Sequence, residues 1–419
     1  MRNMSRRRPP LAHLLHLARA LTVCLCVGTL LPLGGVTEAS AADDTPVRLP
    51  VMPARLDADA DCTSASAQRA TTVPWEQRSL QLTRTWPFSD GSGVTVAVVD
   101  TGVSTTASAL SGRVTAVGPA GRDCVGHGTF VAGLVAAATV DGVRFAGVAQ
   151  RARILAVRGT DERGAATAQS VASGIAAATA AGADVITVSP ALVRGSDGLT
   201  KAVEAALAKD VLVIAAAVPD PPARSSAQDE EPTPRDYWPA AQPGVLSVLD
   251  VDAQGKRPDD ALLPVSADLA APGDGVVGIG ARGTGHYIGS GASFAAGYVA
   301  GAAALVRSSH PGLTGAETAA RLTTSAYPDV VPRLDPFAAV TVVAPGNTAR
   351  AAAPAPGAAV RLPDDDAALP VRRATLFAAA GAGLMLLVVW AALTLPRART
   401  RRWRPAGSPG GDGRSGDGT

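Results

Sequence analysis

The chain has 419 residues, 47% of them hydrophobic and 18% charged, enough apolar side chain for one large core or two modest ones, which excludes disorder throughout. The formal net charge is only +2, and lysine occurs only at Lys201, Lys209 and Lys256. No nucleic-acid partner is expected from that balance.

Arg2, Arg6, Arg7 and Arg8 precede an apolar run over about 20–33 and then Ala39-Ser40-Ala41, the small-x-small pattern of a signal-peptidase site. Residues 1–41 are read as a removed signal peptide, with a retained N-terminal anchor as the alternative. Pro9 and Pro10, behind the arginines, favour the general secretory route over a twin-arginine one. Cys24 and Cys26 leave with the signal, and Val23 is too large for a lipoprotein site at Cys24. Cys62 and Cys124 remain, an even pair in an oxidising compartment. One disulfide is predicted between them, closing a loop of about 60 residues and contributing about 4 kcal/mol by chain entropy. Two free buried thiols are the alternative.

Residues 42–75 are rich in Ala, Asp, Ser and Thr without a sustained period, and read as an N-terminal extension tied down by Cys62. From about residue 94, short β-branched runs alternate with small-residue helical stretches. VTVAVV (94–99), RILAVR (153–158), DVITVS (184–189), VLVIAA (211–216) and VLSVLDV (245–251) are predicted strands; 167–182 and 199–210 are predicted helices. Apolar strands alternating with helices define an α/β fold with a mostly parallel central sheet covered on both faces. Residues 218–239 form a polar, Pro-rich surface loop, and 343–373 an Ala/Pro-rich linker. Ala374 to Leu395 is then free of charge for 22 residues, enough to cross about 30 Å of hydrocarbon. A transmembrane helix is predicted there, a buried core helix being the alternative. Five arginines from Arg397 to Arg404 follow it, against Arg372 and Arg373 before it, so the tail 396–419 is expected in the cytoplasm and the domain outside.

Three stretches carry chemistry. VAVVDTGV (96–103) is a buried strand ending in Asp100, and the carboxyl end of a strand in an open α/β sheet is where an acid can orient a histidine. DCVGHGTFVAGLVAAA (123–138) sets His127 between two glycines at the start of an apolar helix. GSGASFAAGYVAGAAALV (289–306) sets Ser293 behind a Gly-rich turn at another helix start, where free N–H groups and the helix dipole suit an anionic intermediate. A lone Asp-Thr-Gly turn, a helix-capping His and an N-cap Ser are each ordinary features. Their joint occurrence at element boundaries, in the order Asp, His, Ser, is not, and it is the order found in subtilisin. His286 and His310 have no comparable setting.

On these motifs the chain resembles the subtilisin-family (subtilase) serine proteases, and more narrowly the mycosins, membrane-anchored subtilases of type VII secretion systems. The narrower likeness rests on VPWEQRSLQLTRTWPFSDGSGVTVAVVDTGV (73–103), DCVGHGTFVAGLVAA with Cys124, GASFAAGYVAG, RLDPFAAV (333–340), and the linker and apolar segment that follow. The resemblance implies a subtilisin-like three-layer sandwich over 76–342, peptide-bond cleavage by Asp100, His127 and Ser293, and no metal or organic cofactor. It also implies a protein or peptide substrate held extended along strand edges, with type VII secretion membrane components as partners.

One departure bears on activity. Subtilases follow the strand at 211–217 with Gly-Asn, and the Asn donates to the oxyanion; here Val218 and Pro219 follow, so Pro219 is read at the Asn position. Proline has no donor, and an ionised Asp220 next to it would repel an oxyanion. Losing one such donor costs about 10²- to 10³-fold in rate. Ala292, Gly297 and Thr187 replace the family's Thr, Pro and Asn, whereas Ser189 is kept. The expectation is a protease of reduced activity; the alternative is a weak or inactive subtilase-fold scaffold that stabilises the secretion complex.

Overall fold

The computed structural model describes residues 48–221, 233–258, 261–343 and 368–400, with side chains in the last segment described over 375–391 and at 393. Seven strands, β1 (Thr95–Asp100), β2 (Val114–Ala116), β3 (Arg153–Arg158), β4 (Val185–Val188), β5 (Leu212–Ala216), β6 (Leu246–Val251) and β7 (Leu269–Pro272), form one sheet in the order β2-β3-β1-β4-β5-β6-β7. Every neighbouring pair is parallel. A short antiparallel pair, β8 (Val276–Ile279) and β9 (His286–Gly289), follows.

The helices of the same unit are α1 (Trp75–Ser79), α2 (Leu82–Thr85), α3 (His127–Ala136), α4 (Ala168–Ala180), α5 (Asp197–Leu207), α6 (Ala292–Ser309), α7 (Gly315–Thr324) and α8 (Pro336–Thr341). Side chains of β1 alternate between two cores, which explains why its run is apolar at every position. Val96 and Val98 pack with Phe130 and Leu134 of α3 and Phe294 and Val299 of α6. Ala97 and Val99 pack on the opposite face with Val171 and Ile175 of α4 and Leu199 and Val203 of α5. Helices therefore cover both faces, the three-layer α/β architecture expected from the sequence.

The five predicted strands all form, with ends at the predicted residue or one residue away. Thr167, read as helical, is instead the N-cap of α4: its side chain accepts from Ser170 N while the Ser170 hydroxyl answers to Thr167 N. Ser196 caps α5 by accepting from Leu199 N, so the helix begins at Asp197, two residues before the predicted start.

The sheet order reverses beside β1, with β3 and β2 on one side and β4 to β7 on the other. A crevice opens outside the carboxyl ends of the strands at such a switch. The N-terminal extension runs along this region. Met52 N donates to Ile288 O at 2.8 Å, Leu56 N to Arg163 O at 2.8 Å, and Cys62 is bonded to Cys124, three residues before His127.

The first unit ends at Val343. In the second, α9 (Ala368–Thr400) is helical over the whole apolar stretch 374–395. Among the described residues no helix is long and apolar enough to cross a membrane. The predicted signal 1–41, most of the linker and the tail beyond Thr400 lie outside the described residues, as do residues 222–232 of the predicted loop.

Candidate active site

Asp100 is the last residue of β1, His127 the first of α3 and Ser293 the second of α6, so three separate elements deliver the three side chains to one point. His127 Nδ1 donates to Asp100 Oδ2 at 2.8 Å and also lies 3.0 Å from Oδ1. On its other side, His127 Nε2 is 3.1 Å from Ser293 Oγ. All three residues are buried, and the Phe294 ring packs 4.8 Å from the imidazole, fixing its plane. His286 and His310 lie elsewhere, in β9 and at the end of α6.

A network that the sequence reading did not single out holds His127. Asp123, buried in front of α3, accepts from Gly126 N (2.7 Å), Thr129 N (2.9 Å), Thr129 Oγ1 (2.7 Å) and Thr101 Oγ1 (2.9 Å). The Thr101 hydroxyl in turn accepts from Gly128 N at 3.0 Å, and Thr101 N donates to Asp100 Oδ1 at 2.6 Å. Asp123 thus caps α3 and ties its first turn to the end of β1, a carboxylate at the positive end of the helix. The sequence signal was an acid just ahead of Gly-His-Gly-Thr. Gly128 sits at the crossing, where a Cβ would lie 2.1 Å from Gly102 O and 3.0 Å from Asp100 Cβ.

Of the two residues read in the oxyanion region, Pro219 lines the cleft, and it is Asp220 that reaches the nucleophile. Asp220 Oδ1 accepts from Ser293 N at 3.0 Å, Oδ2 accepts from the Ser293 hydroxyl, and His127 Nε2 is 3.0 Å from the same Oδ2. Counting along the strand placed Pro219 at the Asn position, but the chain leaving β5 turns so that the next side chain points inward. A Cβ on Gly291 would fall 2.0 Å from Asp220 Oδ1, so a glycine there is what leaves room for the carboxylate.

The charges are interdependent. Burial drives the His127 imidazole downward, but the charge and hydrogen bond of Asp100, with those of Asp220, overcome it and hold the ring well above the ordinary histidine range. Burial works upward on Asp100, and the His127 charge, its hydrogen bond and the Thr101 N–H keep that carboxyl below its ordinary range. Asp123 is pushed upward by burial against its bonds from Thr129 and Gly126. Asp100 and Asp220 therefore both favour the protonated form of the imidazole.

Asp100, His127 and Asp220, with Ser293 buried behind Asp220, line a cleft of about 810 Å³. Its walls are the segments that follow β3, with Thr160 and Gly164, and β4, with Ser189 and Leu192; Arg55 of the extension and Arg194 also line it. Among the described residues no group of His, Cys, Asp and Glu side chains can hold a metal ion.

Residues 91–363 match the Peptidase S8, Subtilase family. The chain belongs to the subtilase family and is a serine endopeptidase. Within that family it is similar to Mycosin-3 of Mycobacterium tuberculosis, 32% identical over 400 residues that cover 78% of this chain and 84% of the relative. Thermitase of Thermoactinomyces vulgaris is 34% identical over 241 residues, 55% of this chain and 81% of that one. Among solved structures, that of the MycP3 protease from the type VII (ESX-3) secretion system superposes with a TM-score of 0.59 at 30% identity, covering 71% of this chain and 98% of that one.

Proposed function

We propose that this subtilase is a membrane-anchored, extracytoplasmic endopeptidase of the mycosin type that works beside a type VII secretion system, with Asp100, His127 and Ser293 as its catalytic triad. The observation that carries the reading is the 3.1 Å approach of Ser293 Oγ to His127 Nε2 while Asp100 holds Nδ1 at 2.8 Å. When His127 is neutral, Ser293 Oγ adds to the scissile carbonyl carbon as its proton passes to Nε2. Asp100 holds the ring with Nδ1 protonated and offsets the imidazolium that forms. The C–N bond then breaks, His127 returns the proton to the leaving amine, and a water molecule repeats the sequence to release the acid and restore Ser293. The Ser293 N–H at the α6 N-terminus faces the developing oxyanion. A carboxylate stands where the family's amide donor is expected, so the rate falls below that of an intact site by about 10²- to 10³-fold.

The secretion role is supported by the likeness to the MycP3 protease, whose own description places it in such a system. The anchor is supported by the 22 uncharged residues and by consecutive exposed apolar side chains from Leu384 to Trp390, which leave no polar face on that part of α9. Hydrolysis of a peptide library by the full-length chain should vanish in Ser293→Ala; unchanged cleavage would remove Ser293 from the mechanism. Secretion-system membrane proteins should co-purify from the native membrane, and their absence would point to general surface proteolysis. A second reading, a scaffold that stabilises the secretion complex, is favoured by the Asp220 contact with the nucleophile. It predicts that a Ser293→Ala strain secretes normally where a deletion strain does not.

A further inference from the structure

We infer that Asp220 is a built-in stopper of the active site: its carboxylate occupies the place that the substrate's oxyanion must take, and Ser293 acylates at full rate only when that carboxylate is displaced or replaced by an amide. The inference rests on the proteolytic reading and adds to it a device within the chain that sets the rate.

One carboxylate engages every group that the first chemical step needs. Oδ1 takes the Ser293 N–H at 3.0 Å, the donor that the oxyanion would use. Oδ2 takes the Ser293 hydroxyl proton, turning it away from His127, and lies 3.0 Å from Nε2, the atom that must accept that proton. The Asp220 side chain is only 8% exposed, so it is held in the site rather than solvated. Its negative charge opposes an oxyanion at the same point, whereas asparagine has the same shape and offers a donor.

The surroundings of His127 bear on the test. Asp100 faces it from β1 and Asp220 from the segment after β5; α6 presents Ser293 and Phe294, which are uncharged. Asp123 stands one residue further out, bonded to Thr101 and Thr129, and Arg55 and Arg194 line the outer cleft. Asp220 is thus one of two carboxylates that keep a proton on the base. Removing its charge lets His127 become neutral at lower pH.

The experiment compares the full-length wild type with Asp220→Asn and Asp220→Ala in peptide turnover from acid to alkaline pH, with a separate Ser293→Ala counterpart of each as background control. Melting curves check the fold of each. Asp220→Asn should raise kcat at least tenfold, toward the ~10²- to 10³-fold that one oxyanion donor provides. Asp220→Ala, which frees the site without adding a donor, should gain less. In both, the rising limb of the pH profile should move to lower pH, a change that mere loosening of the fold would not produce. If wild-type turnover depends on Ser293 but neither variant is faster and the limb stays in place, the stopper is refuted and the proteolytic reading stands. If no folded variant turns over peptide at all, both fail.

Discussion

Glu76 offers a test of the fold that is independent of catalysis. It is fully buried on α1, and its Oε1 accepts from Val277 N at 2.8 Å, so one carboxyl joins the entry segment to the β8–β9 pair. Burial pushes this carboxyl from an ordinary 4.5 up to about 7, against the Val277 N–H and Arg78. At 1.36 kcal/mol per pH unit, that displacement corresponds to about 3 kcal/mol of linked stability. The folded value is raised, so the folded state binds the extra proton. The contribution is complete below about pH 4.5 and is lost as pH rises through about 7. Glu76→Gln keeps the acceptor for Val277 and removes the titration. Urea denaturation, followed by near-ultraviolet circular dichroism between pH 4 and 9, should show wild type losing stability relative to Glu76→Gln by about 3 kcal/mol across the range. Parallel curves for the two proteins would refute the reasoning, because only the titration of Glu76 separates them.

Gly128→Ala should damage fold and activity together, because its Cβ would meet Gly102 O at 2.1 Å and press on Asp100. A loss of about 1–3 kcal/mol in melting experiments is expected, with turnover reduced on the order of 10²-fold as the triad is displaced. The paired replacement Cys62→Ser with Cys124→Ser removes a cross-link over a sequence separation of 62 and should cost about 4 kcal/mol in denaturant titrations. Thiol titration of the unreduced, denatured protein should find neither of these cysteines free. Deleting residues 374–395 should move the protein from the carbonate-resistant membrane fraction to the soluble one, whereas the intact chain should stay with the membrane.

The sheet interior was legible because strands buried on both faces have no polar alternation to obscure them: β1, β3, β4, β5 and β6 all lie in the β-branched runs read as strands. The edge was not. Leu-Ala-Ala-Pro in β7 has no β-branched residue, β2 is only three residues long, and the four-residue strands of the antiparallel pair each contain a glycine, so these elements exist because neighbours pair with them. In the site, Asp100, His127 and Ser293 could be read because each stands at an element boundary. Asp123 and Asp220 were harder, since each acts from a loop whose path decides where the carboxylate points. At Pro219 and Asp220 a difference of one residue decides which side chain reaches Ser293.

The central claim is that Ser293 is a nucleophile activated by His127. The most direct measurement is covalent labelling of the full-length protein with a fluorophosphonate probe, the adduct being located by mass spectrometry in wild type and in His127→Ala. The account predicts a slow adduct on Ser293 in wild type that disappears in His127→Ala. A folded wild-type protein that forms no adduct, or an adduct that forms equally well without His127, would contradict it.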